Sequence, residues 1–266
     1  MGSNPTLSAG ARERAGSGPE PDRLPRRFPL MPFAAPSTAP SARSREDTGK
    51  RPFDFDEAFR HLRAALADLP KAAMFDLRDR GYATLYEQLV ASIISARTRD
   101  ETTIPVCLRL FAAARTPEAM AELDEATLIR LLRGATFPEP KARDILALSR
   151  AIRDAGAVPD TMEGLMAFRG VGPKIAALAL GVALGRPVIA VDVHVHRIAN
   201  RWGLVATSTP EKTGAALAAI LPERYRVEVN ERLVPYGKFV CTGERPRCSS
   251  CALLPMCRQV GVTAHR

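Results

Sequence analysis

Long apolar runs are missing from this sequence. The most apolar stretch, residues 175–184 (IAALALGVAL), has the length of a core helix and is too short to span a bilayer. The N-terminus has no apolar run of the kind a secretory signal needs. Aromatic residues make up only 6% of the chain while alanine abounds, which disfavours sandwiches and barrels and favours helices. Cysteine is scarce, with five residues, and four of them crowd between positions 241 and 257. That crowding speaks against an ordinary disulfide framework and for reduced thiols gathered round a metal, hence an intracellular protein. Acidic side chains are outnumbered: 38 Lys and Arg face 29 Asp and Glu, a formal charge of +9. The excess suggests a polyanionic partner, nucleic acid first and anionic lipid second.

What is present is helical periodicity. Phe55, Phe59, Leu62, Leu66 and Leu69 recur at helical spacing in FDFDEAFRHLRAALADL, and Leu85, Leu89 and Ile93 line one side of YATLYEQLVASIISA. Further helices are expected at CLRLFAAA, EAMAEL, EATLIRLLRG, KARDILALSRAIRDAG, MEGLMAFR, PKIAALALGVAL, VHRIANRWG, PEKTGAALAAIL and YRVEVNERLVPYGKFV, with Gly or Pro at most junctions. RPVIAVDVHV is the one strand candidate, and its VIAVD reads equally well as a buried extended connector. An apolar content of 46% suffices for a core. The expectation is an all-α protein with short connections, preceded over residues 1–50 by a disordered Pro-, Ser- and Arg-rich tail.

Chemistry concentrates in PDTMEGLMAFRGVGPKIAALALGVAL. Asp160 and Glu163 have capping-box spacing at the start of one helix, and Pro173 suits the first position of the next. Between them RGVGPK makes a tight turn. Gly170, Val171 and Gly172 bring backbone close to a ligand there, and N–H groups at the second helix's start suit a phosphate. An ordinary helix–helix corner would use the same glycines. Lys174 falls in the first turn of that helix, where the dipole disfavours an ammonium. A desolvated amine there can attack an electrophilic carbon such as sugar C1′, while a phosphate contact is the more ordinary use.

Asp192 follows the apolar VIAV and can either stabilise an oxocarbenium-like centre or cap the helix beginning near His194. His194 and His196 read as phosphate-contacting or core residues rather than metal ligands. Cys241, Cys248, Cys251 and Cys257 contain a single Cys-x2-Cys pair, where tetrahedral zinc sites generally use two. Zinc and an iron–sulfur cubane both remain open on this spacing, with the cubane favoured. Cys107, in an apolar run, reads as a core thiol.

The hairpin FRGVGPKIA, the downstream VDVHVHR and the terminal Cys-x6-Cys-x2-Cys-x5-Cys resemble, in order and spacing, the pattern of the endonuclease III family of helix-hairpin-helix DNA glycosylases, over residues 53–258. The resemblance implies two helical domains with a DNA-binding cleft between them. A six-helix barrel carrying the hairpin would span residues 77–186, and an iron–sulfur cluster domain would combine residues 53–76 with 187–258. It implies that Lys174 is a Schiff-base nucleophile, that Asp192 is the essential carboxylate facing it, and that the four clustered cysteines hold a [4Fe–4S] cluster. Gly170, Val171, Gly172, His194, Arg245 and Arg247 become DNA contacts. The implied activity is excision of oxidised pyrimidines from double-stranded DNA, followed by nicking at the abasic site. The implied protein is a monomer of the bacterial cytoplasm, associated with the nucleoid and not with a membrane. Superfamily members without lyase activity lack a lysine at this position.

Two positions depart from the family pattern. Arg97 in IISARTRD stands where a glutamine usually fills the gap left by the flipped nucleotide, and Phe137 in GATFPEPKA stands where an aliphatic wedge is common. Arginine can hydrogen-bond and stack on an orphaned base, and phenylalanine intercalates well, so both mechanical roles are retained. Arg99 adds positive charge in the same loop. Two other readings remain: a helix-hairpin-helix DNA-binding protein without catalysis, which would need neither Lys174 nor Asp192, and the same chemistry on a different lesion class.

Overall fold

Short polar side chains start many of the helices. The computed structural model describes residues 49–266, with twelve α-helices, two 3-10 turns and no strand among them. The tail expected over residues 1–50 lies outside the described residues, except for its last two. Asp54 caps α1 (Phe55–Ala65), accepting from Glu57 N at 3.0 Å. The next helix, α2 (Ala73–Asp79), starts without a side-chain cap. Thr84 and Glu87 exchange bonds in a capping box at α3 (Leu85–Ser95), and Asp100 and Glu101 put negative charge at the start of α4 (Asp100–Ala113). Thr116 and Asp124 open α5 (Pro117–Ala121) and α6 (Glu125–Leu131), and proline begins α7 (Pro138–Ala155). Thr161 caps α8 (Met162–Met166), Gly172 precedes α9 (Pro173–Leu184), Asp192 caps α10 (Val193–Trp202), Thr209 caps α11 (Pro210–Ala218), and α12 (Glu228–Phe239) follows.

Three local expectations need correction. The cap of α8 is Thr161, whose hydroxyl accepts from Gly164 N at 3.1 Å, while Asp160 pairs with Arg186 at 2.9 Å. Helix α4 starts seven residues before Cys107 and runs through Pro105. The third is α2, a seven-residue helix without a capping side chain, whose Ala73, Met74, Phe75 and Leu77 are buried while Asp76 and Asp79 pair with Arg80 and Arg78 at the surface. The VIAVD stretch is an extended connector, as one of its two readings held.

The described residues belong to one compact unit, Glu46–Arg266, containing two hydrophobic clusters. The first surrounds α3, which is buried on nearly every side and lies against α9, with α2, α4 and α7 closing it. The second joins α1, α10 and α12 with Leu253 and Met256. Phe59 stacks on Tyr225 with ring centroids 4.0 Å apart, and Phe53 leans on Trp202. Packing passes from one cluster to the other at the connector: Ala190 belongs to the first and Val191 to the second. No described helix is long and apolar enough to cross a membrane. Phe59 is fully buried, so Phe59→Ala should cost about 3–5 kcal/mol, read as a lower denaturant midpoint at unchanged slope.

Candidate active site

Asp192 ends the connector and starts α10. Its Oδ1 accepts the N–H groups of His194 and Val195, both at 2.9 Å, while Oδ2 has no partner among the described residues. The capping use of this carboxylate is real, and it leaves half of the group available. Lys174 is the second residue of α9 and is half-buried, with no hydrogen bond or ion pair among the described residues. Before it, Gly172 offers no capping side chain, and nothing lies within 4 Å of where its Cβ would stand. The first-turn N–H groups of α9 thus receive no side-chain cap, as at an anion-binding helix start.

Lys174 and Asp192 line the same cavity of about 850 Å³, together with Arg97 and Gly172. They also line a second cavity of about 560 Å³ with Arg97, Arg99, His194 and Lys238. The two lysines differ in their partners. Lys238 donates to Asp100 at 2.8 Å and to Glu101 at 3.3 Å. Burial works against its ammonium, but the two carboxylates outweigh that and raise its pKa. Lys174 has no such neutralising partner. Arg197 Nη2 lies 3.1 Å from His194 Nδ1, between the carbonyls of Gly237 and Cys241. Burial pushes the His194 pKa down, with Asp192 opposing. The imidazole stands on the wall of the second cavity. Lys238 and Asp100 were not singled out in the sequence, since their pairing spans 138 residues.

The other expected contacts divide. The side chain of Val171 is buried in the first cluster and its N–H is committed to Phe168 O at 3.1 Å, so it presents neither group to a ligand. Gly170 adopts φ +82°, and a Cβ there would lie 2.6 Å from Asp144 Oδ2. Arg97, Phe137, Arg245 and Gln259 are the non-glycine residues with positive φ among those described. Three of the four are residues expected at DNA, which fits the tendency of backbone strain to collect at functional positions. Phe137 is 55% exposed, and Arg245 and Arg247 are exposed on the cysteine loop.

All four clustered cysteines line one small cavity of about 20 Å³. A single tetrahedral ion with bonds near 2.3 Å would draw the sulfurs to within about 4 Å of each other. Four thiols lining one cavity supply the donor set that an iron–sulfur cluster, like a zinc ion, requires. Arg201, nearly buried, donates to the carbonyls of Thr242 and Gly243, and Arg197 donates to that of Cys241 at 3.1 Å. Tyr236 Oη lies 2.9 Å from Cys251 Sγ. Burial raises the thiol pKa of Cys241 and pushes that of Cys257 up to about 11.

Residues 90–223 match the family described as HhH-GPD superfamily base excision DNA repair protein. Endonuclease III of Thermotoga maritima is 38% identical over 174 residues, covering 65% of this chain and 82% of that protein. The chain belongs to the endonuclease III family. Within it, endonuclease III of Treponema pallidum is 36% identical over 64% of this chain and 81% of its own length. A solved non-covalent endonuclease III–DNA complex superposes with a TM-score of 0.67 at 28% identity, covering 77% of this chain and 94% of that one. A trapped covalent endonuclease III–DNA intermediate gives the same TM-score and identity over 78% and 97%. As a family member the protein is a base excision repair DNA glycosylase and abasic-site lyase. The dual use of Asp192 makes a separable prediction. Asn caps helices about as well as Asp, so Asp192→Asn should leave the melting temperature nearly unchanged, whereas Asp192→Ala should cost ~1 kcal/mol.

Proposed function

We propose that the protein removes oxidised pyrimidines from double-stranded DNA through a Schiff base at Lys174 and then nicks the strand 3′ to the abasic site. The observation that carries this reading is an unpaired Lys174 amine sharing a cavity with the free oxygen of Asp192. The target nucleotide must leave the stack, because C1′ is inaccessible within a duplex. The Lys174 amine attacks C1′, the glycosidic bond breaks, and the base departs with the bonding pair and is protonated. Asp192 stabilises the positive charge developing on the sugar and takes part in proton transfer. The C1′–O4′ bond then opens, O4′ leaving with the bonding pair and taking the proton shed by the lysine nitrogen; the resulting iminium acidifies the C2′ proton, whose removal expels the 3′ phosphate by β-elimination. Water then hydrolyses the imine and frees Lys174.

Arg97 occupies the gap opposite the orphaned base and Phe137 wedges the stack. The uncapped N-terminus of α9, Arg99, His194, Arg245 and Arg247 hold phosphates. The two hydrophobic clusters act as two domains, a barrel and a cluster domain, with DNA bound across the cavities between them. Cys241, Cys248, Cys251 and Cys257 hold a [4Fe–4S] cluster, which when bound stiffens the loop bearing Arg245 and Arg247 and supplies no chemistry at the lesion.

Borohydride should trap wild-type protein on abasic duplex DNA, Lys174→Gln should trap none, and Asp192→Asn should lose about 10²-fold or more in single-turnover rate. A DNA-binding protein without catalysis would give no adduct, and excision confined to alkylated bases would refute the oxidised-pyrimidine assignment. Protein purified without oxygen should carry about four irons per chain by elemental analysis; stoichiometric zinc would overturn the cluster.

A further inference from the structure

Lys141 is a buried lysine that the chemistry above does not use. It lies near the start of α7 and is only 7% exposed, and no carboxylate pairs with it among the described residues. Its ammonium instead donates three hydrogen bonds to one short segment: Ile94 O at 2.6 Å, Ala96 O at 2.8 Å and Thr98 Oγ1 at 3.0 Å. These carbonyls sit at the C-terminal end of α3, where unpaired oxygens and the negative dipole end suit a cation. Desolvation is the cost, and burial pushes the Lys141 pKa down to about 8. A glycine C-cap or water would finish the helix without that cost.

The extra expense is explained by what the third bond reaches. Thr136 Oγ1 donates to Arg97 O at 2.7 Å, so the hydrogen between the two threonine hydroxyls, 3.0 Å apart, belongs to Thr98. Thr98 Oγ1 then accepts from both Lys141 Nζ and Thr136 N, the latter at 3.1 Å, which uses all its capacity. The brace runs from Lys141 through Thr98 to Thr136. The residues flanking it, Arg97 (φ +58°) and Phe137 (φ +53°), are both left-handed. Non-glycine residues persist there only where their surroundings over-determine them.

We infer that Lys141 is a positioning residue for base extrusion. Through Thr98 and Thr136 it locks Arg97 and Phe137 at a set separation, so that gap-filler and wedge enter the duplex as one preset unit. The inference rests on the roles proposed above for those two residues. Preorganisation of this kind matters where a base pair must be opened and its gap filled, and not where neither base exists.

The test therefore compares two duplexes, one carrying an oxidised pyrimidine opposite a purine and one carrying an abasic site opposite a second abasic residue. Lys141→Met, Thr98→Val and Thr136→Val should each lose about tenfold or more in single-turnover excision on the first. Each should trap on the second within about twofold of wild type, and Thr98→Ser should match wild type on both. Should Lys141→Met fail to fold, the threonine variants decide, since they keep the two Lys141 carbonyl bonds. Equal losses on both duplexes, or no loss on either, overturn the positioning role while leaving the lyase reading intact. A wild-type protein that traps on neither duplex overturns that reading and this inference together.

Discussion

One carboxylate oxygen fixes the geometry on which the site depends. By accepting two N–H groups, Asp192 Oδ1 ends the extended connector and begins α10 at the boundary between the clusters. Helix start and site geometry are thereby the same event. The second oxygen is oriented because the first is committed, and it meets a cavity whose other wall is the glycine-led start of α9. Lys174 occupies that wall without a partner among the described residues, while Lys238, which lines the second cavity with it, is neutralised by Asp100 and Glu101. Of the two lysines there, one is held by carboxylates and the other has no hydrogen-bond or ion-pair partner among the described residues.

Much of this was legible in the sequence, because the informative residues are close together along the chain. The glycine turn, Lys174 and Asp192 span 23 positions, 170–192, and the cysteines span 241–257. What escaped depends on contacts between distant residues. The partners of Lys141 lie 43 to 47 positions away, and no local pattern marks a lysine as buried. Helix α2 escaped for a different reason: seven residues without a capping side chain are too few to show a helical period. The front half of α4 was hidden by Pro105, although acidic residues at its start favour a helix. At α8 two neighbouring residues could both cap, and the hydroxyl of Thr161 won over Asp160, which Arg186 engages.

The left-handed residues connect strain with exposure. Phe137 holds a large apolar ring 55% exposed in a conformation that costs about 1–3 kcal/mol. A folding optimum would bury the ring or replace it with glycine. Arg97, on the facing loop, carries the same backbone state, and the Thr98–Thr136 hydrogen bonds join the two loops.

Helix α10 has a further consequence, as a ruler. At about 1.5 Å per residue, its ten residues span about 15 Å. Asp192 stands at one end, and Arg201, near the other, grips the carbonyls that follow Cys241. A rod fastened at both ends transmits displacement. Disorder in the cysteine loop would reach the carboxylate as a shift in register, without any contact between the two. The capping carboxylate and the cysteine loop are thus joined through the length of a single helix.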